Sequence, residues 1–142
     1  MAQPSDAEQV AALMIAFRNH IERDRPTDEE FRRTVEALLE DPNTVFLLAA
    51  TGVCQLRYRL SIWTATEDCW LEDLYVADEA RGTGVGRALI EAAFELARGR
   101  GCKRIQLDVA EDNLRAIGVY RAAGFGTEPG ADGRTMLITR RL

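Results

Sequence analysis

Arg81-Gly82-Thr83-Gly84-Val85-Gly86-Arg87 sets three glycines between two permanent cations, a combination suited to holding a phosphate. Glycines let an anion approach the main chain closely, and guanidinium groups match phosphate oxygens in charge and geometry. Which phosphate ligand depends on spacing. A P-loop requires four residues between its glycines and then Lys with Ser or Thr, and no such Lys follows. A dinucleotide fingerprint requires Gly-x-Gly-x-x-Gly. From Gly84 the third position falls on Leu89, and from Gly82 the glycines read Gly82-x-Gly84-x-Gly86, so that pattern also fails. The spacing that holds is Arg-x-x-Gly-x-Gly, met by Arg81, Gly84 and Gly86.

The elements around this turn give it direction. Leu71-Glu72-Asp73-Leu74-Tyr75-Val76 suits a strand and Ala77 to Ala80 a polar turn, and from Val85 onward Val85, Ala88, Leu89, Ala92, Ala93 and Leu96 recur at helical spacing. A strand therefore hands over to a helix at the glycines. Free N–H groups and the positive end of the helix dipole converge there on any bound anion.

Upstream, Ser5 or Asp6 can cap a first helix that carries Val10, Leu13, Met14, Phe17 and Ile21 on one face. Thr27, three residues before Glu30, predicts a capping box and a second helix burying Phe31, Val35, Leu38 and Leu39, ended by Asp41-Pro42-Asn43. His20, the single histidine, lies in a charged run and reads as a solvated surface residue. Thr44–Ala50, Val53–Thr64 and Cys69–Val76 then read as three strands, with Thr51-Gly52 and Ala65–Asp68 connecting them as an antiparallel meander. Trp63 and Trp70 are expected in the core or lining a pocket. After the glycine-initiated helix, which ends at Arg98-Gly99-Arg100-Gly101, the stretch Lys103–Val109 alternates as a strand. The intervening helix makes it parallel to Leu71–Val76 by a right-handed crossover. Asn113, Ala116, Ile117 and Tyr120 share one face of a last helix, and Gly130–Gly133 with Arg134–Arg141 predicts a closing hairpin.

Two motifs in this order resemble the GNAT superfamily of acyl-CoA-dependent N-acyltransferases. The first is Arg81-x-x-Gly84-x-Gly86, and the second is Asn113-x-x-Ala116-Ile117-x-x-Tyr120-x-x-x-Gly124-Phe125. The resemblance covers roughly Val45 to Leu142, and Leu71 to Gly86 look most like the spermidine/spermine N-acetyltransferase branch. It implies an α/β (α+β) fold with a mixed, mostly antiparallel central sheet, helices on both faces and a splayed pair of parallel strands, in one domain over 1–142. It further implies acetyl-CoA as cosubstrate with no metal. Arg81, Gly82, Thr83, Gly84, Val85, Gly86 and Arg87 would hold the pyrophosphate, Leu74, Tyr75 and Val76 would offer main-chain groups to the pantetheine and thioester, and Asn113 would bond the pantetheine arm. Family members usually carry a strand before the first helix, where only Met1–Pro4 stand here, so that strand is expected to be missing or vestigial.

Moving an acetyl group from a thioester to an amine requires a neutral amine, support for the oxyanion and a fate for the thiolate. Tyr120, protonated at neutral pH, is the candidate acid for the thiolate. Glu72 is the candidate for steering the ammonium and taking its proton, and Asp73 should face the other way if the strand is regular. Glu67, Asp68, Glu72 and Asp73 together would make a negative mouth that favours a small cationic amine or polyamine.

Composition agrees with this class. The 142 residues are 46% hydrophobic and 29% charged, within the range of soluble globular domains. No apolar run is long enough for a membrane span, and the N-terminus lacks a signal peptide's regions, so a cytoplasmic protein is expected. A net charge of -5 disfavours nucleic acid as a partner. Cys54, Cys69 and Cys102 are odd in number and widely spaced, which argues against disulfides and a metal knuckle. A homodimer is among the assemblies the resemblance allows. Two other classes remain open: an idle acyl-CoA-binding or partner-binding module on the same fold, and a nicotinamide-dependent oxidoreductase, which the glycine spacing and the meander both oppose.

Overall fold

Three strands, β1 (Thr44–Ala49), β2 (Gly52–Ser61) and β3 (Thr66–Val76), pair antiparallel in sequence order. A short β4 (Ile105–Gln106) joins β3 in parallel, so the order is β1-β2-β3-β4. The computed structural model describes residues 1–126. The chain divides into two compact units, Met1–Asp108 and Val109–Leu142, each described by itself. The predicted hairpin at 130–141 lies outside the described residues.

In the first unit, strand alternation sends two sets of side chains to opposite faces. Phe46, Val53 and Tyr75 pack with Val10, Ala11, Met14 and Val35 of two helices, α1 (Ala7–His20) and α2 (Asp28–Leu39). The other face carries α3 (Val85–Gly99), which buries Leu89, Ile90, Ala93 and Ala97. The capping box forms as the sequence predicts. Thr27 Oγ1 accepts from the Glu30 N–H at 3.3 Å, and the Glu30 carboxylate accepts from the Thr27 N–H at 2.7 Å. Those bonds hold the Glu30 carboxyl below its ordinary pKa. Ahead of α1 no strand forms among residues 1–6, but the Ala2 N–H donates to Phe46 O at 2.7 Å along the outer edge of β1.

Four expectations are corrected. The β2–β3 connection is Ile62–Ala65, and β3 starts at Thr66. Glu67 and Asp68 stand in the ladder opposite Leu60 and Arg59 because arginines from later in the chain neutralise them. Arg100 grips Glu67 through two nitrogens at 2.9 and 3.1 Å, and Arg104 reaches Asp68 at 2.6 Å. Trp63 is 90% exposed at the tip of that connection, where no described element covers it, and Leu60 and Ile62 beside it are exposed too.

The remaining two corrections concern β3 and its parallel partner. Gln55 pairs with Asp73 but Leu56 with Leu71, leaving Glu72 as an extra residue, a β-bulge. The parallel ladder then stops after Cys69↔Ile105 and Trp70↔Gln106, far short of the predicted Lys103–Val109. Its last rung comes just before the bulge, beyond which the edge of β3 no longer offers evenly spaced groups to a parallel neighbour.

Candidate active site

The glycine turn folds as a helix N-terminus without a cap. Gly84, with φ +94°, stands at the N-cap of α3 and makes no side-chain capping bond, and no acidic residue occupies the first turn. The first helical bond runs from the Ala88 N–H to Gly84 O at 2.9 Å, so the N–H groups of Val85, Gly86 and Arg87 precede any helical acceptor. The contrast with α2 is chemical: that helix has a capping box and Asp28, Glu29 and Glu30 in its first turn. The start of α3 is therefore a positive, open end that favours an anion. Thr83 supports it by donating from Oγ1 to Ala80 O at 2.6 Å. Gly82 also has a positive φ, +81°.

The two arginines differ. Arg87 is exposed and only loosely paired with Glu91 at 3.8 Å. Arg81 is anchored, its Nε donating to Val76 O at 3.1 Å and its Nη1 lying 2.6 Å from Asp78 Oδ1. It braces the turn between β3 and α3, and His20 approaches the same Asp78 Oδ1 at 3.7 Å.

Along β3 the main-chain groups are not equivalent. The Ala77 N–H donates to Thr51 O at 2.8 Å, and hydrogen-bonded rows recur at every second pair of an antiparallel ladder. Tyr75 therefore shares its bonds with Val53, its register partner, whereas Leu74 and Val76 direct theirs to the opposite edge. No strand pairs with that edge from Leu71 to Val76 among the described residues. Of the three residues expected to offer main-chain groups, Leu74 and Val76 turn theirs to this edge, where Val76 O already accepts from Arg81 Nε, and Tyr75 turns its groups toward β2. The Tyr75 side chain is buried, stacked on Phe17 at 5.5 Å, and burial raises its phenol pKa.

The four acids separate into two pairs. Glu67 and Asp68 are held by Arg100 and Arg104. The Arg104 hydrogen bond keeps the Asp68 carboxyl below its ordinary pKa, so this buried ion pair leaves the expected negative mouth to Glu72 and Asp73. Glu72 is exposed. Asp73 stands in one row with Gln55 and Phe46, on the α1/α2 face that Tyr75 shares by alternation, and the extra residue Glu72 interrupts the register just before it. Burial pushes the Asp73 carboxyl up to about 6, helped by the like charges of Glu72 and Asp108.

In the second unit, α4 (Leu114–Ala122) is capped by Asn113, whose Oδ1 accepts from the Ala116 N–H at 3.1 Å. Tyr120 meets Phe125 edge-on with ring centroids 5.6 Å apart. Gly124, with φ +91°, turns the chain between them.

Gly52 belongs to the site although its sequence suggests only a turn. A Cβ there would lie 3.0 Å from Val85 Cγ1, 3.1 Å from Leu89 Cδ1 and 3.1 Å from Tyr75 O. Its bare backbone lets the first turn of α3 rest on the sheet. Gly52→Ala is expected to lower stability by about 1–3 kcal/mol through overpacking and to weaken any anion binding at the N-terminus of α3 by displacing it. Chemical denaturation and calorimetry on the same variant check both. Undiminished stability and affinity would mean that the helix position is not set there.

Residues 9–125 match the acetyltransferase (GNAT) family, and the chain belongs to that family. The mycothiol acetyltransferase of Beutenbergia cavernae is 32% identical over 127 residues, covering 85% of this chain and 42% of that protein. An aminoglycoside N(6')-acetyltransferase of Stenotrophomonas maltophilia is 30% identical, covering 87% and 82% respectively. Thialysine N-epsilon-acetyltransferase of Sus scrofa is 36% identical over 78 residues, covering 51% and 45%. The chain thus spans less than half the length of the mycothiol and thialysine enzymes it matches. An Arthrobacter sp. FB24 protein, solved and provisionally described as an acetyltransferase, superposes with a TM-score of 0.86 at 31% identity, over 99% of this chain and 92% of that one. An aminoglycoside N-acetyltransferase solved in complex with CoA shares the fold, with a TM-score of 0.82 at 18% identity over 99% of this chain and 91% of that one. No helix among the described residues is long and apolar enough to cross a membrane.

Proposed function

We propose that this chain transfers an acetyl group from acetyl-CoA to the primary amine of a small cationic acceptor, with polyamines first among candidates. The observation that carries the reading is the uncapped start of α3 beside the unpaired edge of β3, an anion seat next to free main-chain groups. Acetyl-CoA would supply the activated thioester. Val85, Gly86 and Arg87 would bind its pyrophosphate through their N–H groups, Arg87 adding charge. Arg81 would hold the turn in place, and Leu74 and Val76 would orient the pantetheine and thioester through main-chain hydrogen bonds. Asn113, already an N-cap through Oδ1, keeps its amide N–H groups for the pantetheine arm. Tyr120 would protonate the departing thiolate. Glu72, exposed at the bulge, would draw in the ammonium.

The amine preference rests on the carboxylate of Asp73, on which the charges of Glu72 and Asp108 both act, and on relatives whose names specify amino-group acetylation. Thiol release from acetyl-CoA, followed across diamines, polyamines, aminoglycosides and anionic amino acids, tests the reading. Diamines should outrank anionic amino acids, with a rate that rises with pH as the amine loses its proton. Acetyl-CoA binding with no amine acetylated would instead identify an idle acyl-CoA module.

A further inference from the structure

Resting on that reading, we propose that Asp73, not Glu72, takes the proton of the incoming ammonium, with Gln106 Oε1 as its neighbouring hydrogen-bond acceptor. Three observations converge. Asp73, two residues before Tyr75 in unbroken register with β2, lies on the α1/α2 face, next to the bulge at Glu72. The parallel ladder ends at Trp70↔Gln106, so the edge of β3 beside Asp73 has no strand partner among the described residues. Gln106 Oε1, on that last rung, is buried and accepts no hydrogen bond among the described residues. A buried carbonyl oxygen without a donor is costly unless a ligand supplies one, and an ammonium carries three N–H donors.

The surroundings fit Asp73 for this task better than Glu72. Its carboxyl is pushed up to about 6 by burial and by Glu72 and Asp108, so it is ionised at neutral pH yet a stronger base than an ordinary aspartate. On β2 the neighbouring groups are the neutral Gln55 amide and the Cys54 thiol, whose pKa burial raises to about 12, so neither titrates near 6. At the end of α1, Arg18 is paired with Asp28 and His20 lies beside Asp78. Glu72 and Asp108 are thus the ionised groups acting on Asp73.

The proton balance is complete. Asp73 takes one proton from R–NH3⁺, and the neutral nitrogen forms a C–N bond to the thioester carbon as the C–S bond breaks. The nitrogen then loses a second proton, and the thiolate gains one through Tyr120. Asp73 returns its proton to water, so one proton is released for each amide formed.

The test is the pH profile of kcat/KM with the best diamine for wild type, Asp73→Asn, Glu72→Gln, Asp108→Asn and Gln106→Leu. Wild type should show an acid limb near pH 6. Asp73→Asn should lose that limb and about 10²-fold in rate. Glu72→Gln and Asp108→Asn should keep the limb but move it to lower pH, because each removes a like charge that holds the Asp73 pKa up. Gln106→Leu should raise KM without lowering the melting temperature, since Oε1 gives up no hydrogen bond to the described residues. An active wild type whose Asp73→Asn variant keeps the limb, or whose Glu72→Gln variant loses it, overturns the assignment, and so does a Gln106→Leu variant with unchanged KM. A wild type that acetylates no amine overturns the proposed function itself.

Discussion

Replacing Gly84 by valine is expected to weaken acetyl-CoA binding by about 10²-fold while leaving the protein folded. Gly84 has φ +94°, and a Cβ there would meet no atom within 4 Å, so the penalty is conformational and not a clash. A β-branched residue in that region costs about 1–2 kcal/mol. The backbone can relieve the strain by rotating, which turns the N–H groups of Val85 and Gly86 away from a common focus. Losing two hydrogen bonds to a charged phosphate, at roughly 1.5–3 kcal/mol each, corresponds to 10²-fold or more in affinity. Gly101 supplies the control. It has φ +78° and equally open surroundings, but follows the opposite end of α3. Gly101→Val should lower the melting temperature comparably and leave acetyl-CoA affinity unchanged. Calorimetry finding equal affinities for the two variants would remove the pyrophosphate from the start of α3.

Tyr120→Phe is expected to lower turnover by roughly 10²-fold with little change in acetyl-CoA affinity, as removal of a proton donor used only in the chemical step should. Phenylalanine keeps the ring that packs edge-on against Phe125, so α4 should retain its packing. A burst of product in rapid-quench kinetics would separate slow chemistry from slow release. Near wild-type turnover would mean that the thiolate leaves unaided or draws its proton elsewhere.

Local signals in the sequence were reliable where their physics is local. Thr27 and Glu30 cap α2 because both groups lie within one helical turn. The glycine turn opens α3 because Gly84 alone supplies the left-handed residue at its N-cap. The meander and the parallel crossover followed from alternation and the intervening helix. What stayed hidden depended on distant partners. Glu67 and Asp68 read as loop residues because Arg100 and Arg104 stand 33 and 36 residues away. Gly52 is needed for contacts with Val85 and Leu89, which no local pattern announces. The bulge at Glu72 arises from register with β2, so the regular alternation assumed between Glu72 and Asp73 does not hold there. The direction of the Tyr75 main-chain groups toward β2 follows from the same ladder.

The central claim is that this chain forms an amide between an acetyl group and a small cationic amine. Mass spectrometry of diamines and polyamines recovered after incubation with acetyl-CoA carrying an isotopically labelled acetyl group tests it most directly. The expected result is a labelled N-acetyl product, formed in equal amount to free coenzyme A and about 10²-fold more slowly when Gly84→Val replaces the wild-type protein at limiting acetyl-CoA. Coenzyme A released without any acetylated amine, or label found on a hydroxyl group instead of nitrogen, would contradict it.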